Sequence, residues 1–287
     1  MRTLRIPGSG LTPGLFSAIG RGPLRLPIRP PRCIPNEVNR ERAMKTIWQI
    51  FKKEFGGYLN SPSTYIFLII FLILGSCMLL YVSTFFRSGM ARLDGFFVYI
   101  PWLFLFLVPA IAMRVWAEEK KTGTEELLMT MPVRDHEVVI GKYLGALALL
   151  VLALALTFPV PWMVAHFADP QTPLDWGPVA CAYLGTLLLG ATILAIGTWA
   201  SSLTENQIIA FILGCSISFA LILVGFPRVA ELMPFGLGEY VAAMSPYKHF
   251  INIYRGVLDL ADIVYYVSAI VFFLFLNIRS VESRKWA

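Results

Sequence analysis

Few residues in this chain could do chemistry, and their spacing narrows what that chemistry is. The three histidines, His136, His166 and His249, lie far apart in sequence. No local pattern assembles a metal or haem site from them, and each reads as an interfacial residue. Cys77, Cys181 and Cys215 sit in apolar runs, where a thiol behaves as a small buried hydrophobe. Four cysteines are too few for a disulfide framework. A phosphate-binding G-x-x-x-x-G-K-[ST] loop is missing, since the one Gly-Lys pair, Gly141-Lys142, is followed by Tyr143. One stretch does concentrate polar and apolar groups. It reads Glu118-Glu119-Lys120-Lys121-Thr122-Gly123-Thr124-Glu125-Glu126-Leu127-Leu128, then Met129-Thr130-Met131-Pro132-Val133-Arg134-Asp135. Its apolar ridge, Leu127, Leu128, Met129 and Met131, is costly in water unless it docks on a partner. A plain solvated charge run is the other reading of the same residues. The chemistry on offer is recognition, not bond making.

The elements that must position this stretch follow from composition. The chain has 287 residues, 57% hydrophobic and 15% charged, against about 25% charged in an average soluble protein. Such a chain cannot cover a globule with polar surface, so its apolar excess faces lipid. A soluble enzyme, a disordered protein and a secreted disulfide scaffold are excluded. Crossing about 30 Å of hydrocarbon takes about 20 apolar residues at 1.5 Å each. Charge-free runs of this kind occur at Tyr65–Phe85, Phe96–Met113, Tyr143–Ala165, Trp176–Ala200, Ile208–Phe226 and Ile263–Ile278. Six spans put both termini on one side. With the N-terminus inside, and residues 1–43 left out, the inner segments hold eleven Lys and Arg and the outer ones five. This favours N-in, C-in. None of the runs contains Asp, Glu, Lys, Arg or His. Ion-coupled carriers place ionisable groups at membrane depth, so a proton relay within the chain is disfavoured.

The net charge of +6 is local: residues 1–43 hold eight arginines and two glutamates, and the rest is balanced. It is therefore no sign of nucleic-acid binding. Seven prolines and five glycines in the same stretch imply disorder. An early-assigned start, with Met44 as the working N-terminus, and a genuine cytoplasmic arm both fit. The organisation expected is residues 1–43 as an extension and 44–287 as the membrane domain.

Several connections carry structure of their own. Ile47, Trp48, Phe51, Phe55 and Leu59 fall at helical spacing over residues 46–59, with Gln49, Lys52, Lys53 and Glu54 opposite. This suits a helix lying in the inner interface, or simply a positive flank. Residues 114–142 should form two short helices broken at Gly123 and Pro132, with Asp135 capping the third span. Residues 227–262 are too apolar for a solvated loop. Ser245 and Pro246 start a helix there as N-cap and first residue, with Lys248, Asn252, Arg255 and Asp259 on one face and Phe250, Ile251, Tyr254, Val257 and Leu258 on another. Span prolines, Pro101, Pro109, Pro159 and Pro161, free carbonyls that neighbours must satisfy. Gly185, Gly190 and Gly197 give the fourth span small faces for packing, and Gly141-x-x-x-Gly145 has a dimer-motif spacing.

The string E-E-K-K-T-G-T-E-E-L-L-M-T-M-P-V between spans two and three resembles the signature of ABC-2 type permeases, the membrane subunits of ATP-binding-cassette transporters. So does Ser201-Ser202-Leu203-Thr204-Glu205-Asn206-Gln207 as the short turn between spans four and five. The strings Ser245-Pro246, His249-Phe250, Arg255-Gly256-Val257-Leu258-Asp259 and Val281-Glu282-Ser283-Arg284-Lys285-Trp286 are most similar to the gliding-motility branch, within a family containing many exporters. The resemblance covers Met44 to the C-terminus.

It implies an all-α integral membrane protein of the inner (plasma) membrane with six transmembrane helices, N-in/C-in, a cytoplasmic coupling helix and outer interfacial or re-entrant helices. Glu118, Glu119, Gly123, Thr124, Glu125, Leu127, Leu128 and Pro132 would contact a separate ATPase. Ser245, Pro246, Arg255 and Asp259 would belong to the outer gate, as a structural lid or a substrate contact. No cofactor is expected in this chain; ATP and Mg would bind the ATPase partner. The other partners are membrane lipid and a second permease copy or homologue. The function implied is transport without catalysis by this chain, with a membrane anchor for a cytoplasmic ATPase complex as the alternative.

Overall fold

The structure, a computed structural model, describes residues 36–78, 93–124, 133–167, 174–231 and 237–284. The chain divides into two units, residues 1–39 and 40–287. The first lies almost wholly outside the described residues, and the second carries the architecture. Every regular element among the described residues is an α-helix. In chain order they are α1 Asn36–Asn60, α2 Pro62–Cys77, α3 Asp94–Phe97, α4 Ile100–Ala112, α5 Arg114–Thr122, α6 Asp135–Leu156 and α7 Pro159–Phe167. Then follow α8 Trp176–Leu203, α9 Gln207–Leu223, α10 Pro227–Glu231, α11 Leu237–Ala243, α12 Pro246–Tyr254 and α13 Leu260–Arg284.

Four stretches are long and apolar enough to cross a membrane: Ile100–Thr122, Asp135–Phe167, Trp176–Leu203 and Leu260–Ser283. They hold the expected second, third, fourth and sixth spans. The first corresponds to α2, which passes the same test only together with α1, from which it is bent by 74°. The bend falls at Ser61, whose backbone is extended, and Pro62 then opens α2 where its missing N–H costs nothing. The remainder of the expected first run, residues 79–85, lies outside the described residues. The fifth corresponds to α9, whose 17 residues fall short of the roughly 20 a crossing needs.

Local chemistry sets the helix ends. Asp175 caps α8 by accepting from the Gly177 N–H at 3.0 Å, and Asn206 caps α9 by accepting from the Ile208 N–H at 2.9 Å. The α6 start differs from expectation. Arg134 occupies the N-cap position, extended and without a side-chain bond, while Asp135 lies inside the first turn beside Glu137. There the two carboxylates favour the positive end of the helix dipole. The expected third span is not continuous either. A turn at Thr157–Phe158 separates α6 from α7, because Pro159 has no N–H to continue the ladder. Pro109 remains inside α4. The Leu105 carbonyl, four residues back, accepts instead from the Cys215 thiol of α9 at 3.2 Å.

At the centre stands α8, packed against α4, α5, α6, α9, α12 and α13. Its glycines make this possible. A Cβ at Gly185 would lie 2.8 Å from Ile253 of α12, one at Gly190 2.7 Å from both Leu150 of α6 and Phe104 of α4, and one at Gly197 2.6 Å from the Ala112 Cβ. The Gly141-x-x-x-Gly145 pair serves the same purpose within the chain. It admits α1, since added Cβ atoms would stand 2.8 Å from Ile50 and 2.7 Å from Glu54. On α1, Trp48, Phe51 and Phe55 form a stacked ladder with centroids 5.0 and 5.9 Å apart.

Candidate coupling site

Where α5 leaves α4, three other elements close on it. Lys142, in the second turn of α6, is 2% exposed and sends its ammonium between α1 and α5. Its Nζ lies 2.8 Å from Glu54 Oε1, 2.6 Å from Glu119 Oε1 and 3.4 Å from the Val115 carbonyl, so each of its three N–H groups has an acceptor. The same ammonium stands 5.3 Å from the centroid of the Trp116 ring. Two carboxylates thus share one buried cation, and among the described residues Glu119 Oε2 has no hydrogen-bond partner. Glu54, which the amphipathic pattern of α1 puts on the water side, is turned inward here.

A second junction ties α5 to the end of α8. The first N–H groups of a helix lack partners within it, and Met113, the N-cap of α5, has helical angles and no capping side chain. Ser201 supplies the cap from another helix. Its Oγ accepts from the N–H groups of Trp116 and Ala117 at 3.2 and 3.1 Å and donates to the Met113 carbonyl at 2.8 Å. Lys120 then donates to the Ser202 carbonyl, which also receives Ser280 Oγ of α13 at 3.4 Å.

On its third side, α5 meets the α1–α2 bend, where Arg114 Nη1 donates to Ser61 Oγ at 3.1 Å. Arg114, Glu118, Lys53 and Tyr58 border an open polar cavity of about 290 Å³. Burial, reinforced by the Glu54 charge, holds the Tyr58 phenol well above the usual tyrosine range, so it stays neutral. A second open cavity, of about 420 Å³, is bordered by Lys121, Glu205, Asn206, Gln207 and Ile208. The first of these clefts flanks the base of α5, and the second lies beside Lys121 near its C-terminal end. Among the described residues no three His, Cys, Asp or Glu side chains converge as a metal site would require.

At its base α5 is thus held by three neighbouring elements, and it ends in exposed polar residues. In a comparison with known families, the model of the ABC-2 family transporter proteins matches residues 86–278. The chain belongs to the ABC-2 transporter family. An ABC-2 chain is the membrane component of a transporter, and the apolar helices make this one a multi-pass membrane protein. No curated protein matches the chain in a sequence comparison.

The contact residues expected for an ABC-2 permease divide into distinct groups. Glu118 is exposed on α5. Gly123 ends α5 in the left-handed conformation, φ 72°, which only glycine adopts without strain. Thr124 is exposed, and its Oγ1 lies 3.0 Å from that of Thr122 and donates to the Glu119 carbonyl at 3.3 Å. Glu119 is apart from these: its carboxylate is engaged by Lys142. Glu125, Leu127, Leu128 and Pro132 lie outside the described residues.

At the expected outer gate, Ser245 caps α12 by accepting from the Tyr247 N–H at 3.2 Å, with Pro246 as first residue. The helix stops at Tyr254, and Gly256 turns the chain at φ 88°. Arg255 and Asp259 therefore stand in the turn after α12 and not on its face, and both are exposed. Asp259 starts α13 by accepting from the Ala261 N–H at 3.1 Å. Val257 and Leu258 likewise lie past the helix, exposed, while Phe250 and Ile253 form its buried side.

Sequence reasoning missed Lys142, Glu54, Ser201 and Asp262. The first three stand at the edges of apolar segments, noted in the sequence only as parts of other patterns, and their partners lie 23 to 88 positions away. Asp262 stands one residue before the run taken as the sixth span, yet it is buried and bonded to His249.

Proposed function

We propose that this ABC-2 chain is the permease subunit of an exporter, driven by ATP hydrolysis in a separate ATPase subunit and paired with a second copy or homologue. Its six helices cross the plasma membrane with both termini cytoplasmic, and the similarity of the strings between Ser245 and Trp286 to the gliding-motility branch supports membership of that branch. The observation that carries this reading is the base of α5. A push on Glu118, Gly123 and Thr124 passes through Lys142 to α1 and α6, and through Ser201 to α8, the central helix, which packs against α4, α5, α6, α9, α12 and α13. Closure of ATPase subunits on ATP would then rotate whole helices instead of bending one loop. The contact divides between outward groups, Glu118 and Thr124 with Glu125, Leu127, Leu128 and Pro132, and Glu119, which stiffens the base. The α11–α12 region closes the outer end.

The test is reconstitution with the cognate ATPase in lipid vesicles. Alanine at Glu118 and Thr124 is expected to reduce stimulated ATP hydrolysis and complex formation while leaving the thermal stability of the permease unchanged. Glu119→Ala is expected to lower both. Unchanged hydrolysis and binding in every variant would overturn the coupling assignment, and ATP hydrolysis without solute movement would favour a membrane anchor. Labelling of a cysteine at position 122 from outside intact cells would overturn the orientation.

A further inference from the structure

Eighteen residues before Ser280, about 27 Å along a helix rising 1.5 Å per residue, the other end of α13 holds an imidazole between two acceptors. His249 Nδ1 lies 2.5 Å from Asp262 Oδ1, and Nε2 lies 2.9 Å from the Ala243 carbonyl oxygen. A neutral imidazole has one N–H, so it can satisfy one of these oxygens and must turn a lone pair on the other. The imidazolium donates to both. With both ring nitrogens protonated, each of the two oxygens receives an N–H, Asp262 accepting as a carboxylate. Asp262 has a side chain 4% exposed, and its Oδ2 has no partner. Its charge is met by the imidazolium and by the positive end of α13, in whose first turn it lies, and an unpaired buried carboxylate is costly.

The pair sits where three helices meet. Tyr265 of α13 stacks on the His249 ring at 4.0 Å between centroids, and its hydroxyl donates to the Met244 carbonyl. The Tyr266 hydroxyl donates to the Pro246 carbonyl at 2.6 Å. Three carbonyls of the α11–α12 corner, at 243, 244 and 246, are thus held by His249 or by α13. On its other side the corner abuts the end of α9, since a Cβ at Gly225 would come within 2.3 Å of Ser245 Oγ.

Other titratable and charged groups stand on each of the elements packed against the imidazole. On α12 these are Lys248, exposed, with Tyr247 and Tyr254; on α11, Glu239 and Tyr240, both exposed; on α13, Asp262, Tyr265 and Tyr266. The helices packed behind α12 carry no charged side chain: α8 offers Tyr183 and Cys181, and α9 offers Cys215.

We propose that His249 and Asp262 form a proton-held clasp that fastens the α11–α12 corner to α13 and releases it when the imidazolium is deprotonated. The clasp is complete while the protonated ring donates to both oxygens, and it is weakened when deprotonation leaves one N–H for the two. With the outer-end role given above to this corner, on which this consequence alone rests, opening of the pathway becomes proton-linked.

The experiment uses the full chain in lipid nanodiscs, with no ATPase or substrate, so it stands or fails independently of the permease reading. His136→Gln and His166→Gln leave His249 as the one imidazole of three. Nitrogen-15 spectra of labelled histidine then report which ring nitrogens carry protons. In parallel, spin labels at the exposed positions Tyr240 and Val267 measure the separation of α11 and α13, with the native cysteines changed to serine. Both ring nitrogens should be protonated wherever the short distance dominates. The short-distance population should fall about tenfold between about pH 5.5 and pH 9, in step with His249 deprotonation. In Asp262→Asn the amide can donate to Nδ1 of a neutral ring whose Nε2–H still reaches Ala243. That variant should stay closed across the same range. A closed corner around a neutral His249 in the unsubstituted clasp, a distance unaffected by its titration, or the same opening in Asp262→Asn would each overturn the proposal. Should Asp262→Asn not fold, the first two outcomes still decide.

Discussion

Lys142 of α6 and Glu119 of α5 meet at 2.6 Å inside the bundle, and Glu54 of α1 joins the same ammonium at 2.8 Å. Three helices far apart in sequence therefore share one cation. Removing one member of a buried ion cluster strands the others and costs about 3–5 kcal/mol, whereas replacing the whole cluster by apolar groups of similar size is often neutral. Lys142→Met alone is expected to lower the thermal midpoint in detergent strongly. Glu54→Leu, Lys142→Met and Glu119→Leu together should recover most of that loss. A triple variant no more stable than Lys142→Met would contradict this account.

Ser201 does for α5 what its own N-cap does not. Ser201→Ala should cost about 1 kcal/mol locally, as loss of a cap does. Hydrogen exchange at the amides of Trp116 and Ala117 should then accelerate about fivefold, with little change at the far end of α8. Uniform acceleration throughout the bundle would mean that Ser201 acts by packing and not as a cap.

Two glycines should respond in opposite directions to alanine. At Gly197 a methyl would lie 2.6 Å from the Ala112 Cβ, and overpacking of this kind costs about 1–3 kcal/mol. At Gly57, inside α1, nothing lies within 4 Å of an added Cβ, so alanine should gain about 0.5–1 kcal/mol in helix propensity. Thermal unfolding of the two variants side by side checks both signs.

The Cys215 thiol answers for the N–H that Pro109 lacks. Interhelical bonds of this kind in membrane proteins are worth about 0.6 kcal/mol and at most about 2. Cys215→Ala should cost that much in the native background. It should cost nothing beside Pro109→Ala, where the helix can bond the Leu105 carbonyl itself. Additive effects in the double-mutant cycle would show that the thiol bond contributes nothing.

The membrane setting, the positions of the main apolar helices, the helix start at Ser245-Pro246 and the stop at Gly123 were legible in the residue order alone. Each depends on a run of hydrophobic residues or on the conformational limits of one or two neighbours, and both are properties of a one-dimensional string. The small-residue face of α8 was legible for the same reason, although which helices would use it was not. The motifs between spans two and three also placed the chain in its family. Tertiary structure decided the rest. Glu54, Lys142 and Glu119 look like separate surface charges until Gly141 and Gly145 let α1 press against α6, and Ser201 becomes a cap only once α8 lies across the start of α5. Asp262 fell just outside a charge-free run and acquired meaning when α12 folded back to set His249 against it. A buried charge is tolerated only beside its partner, and where that partner stands is settled by packing, which local sequence does not encode.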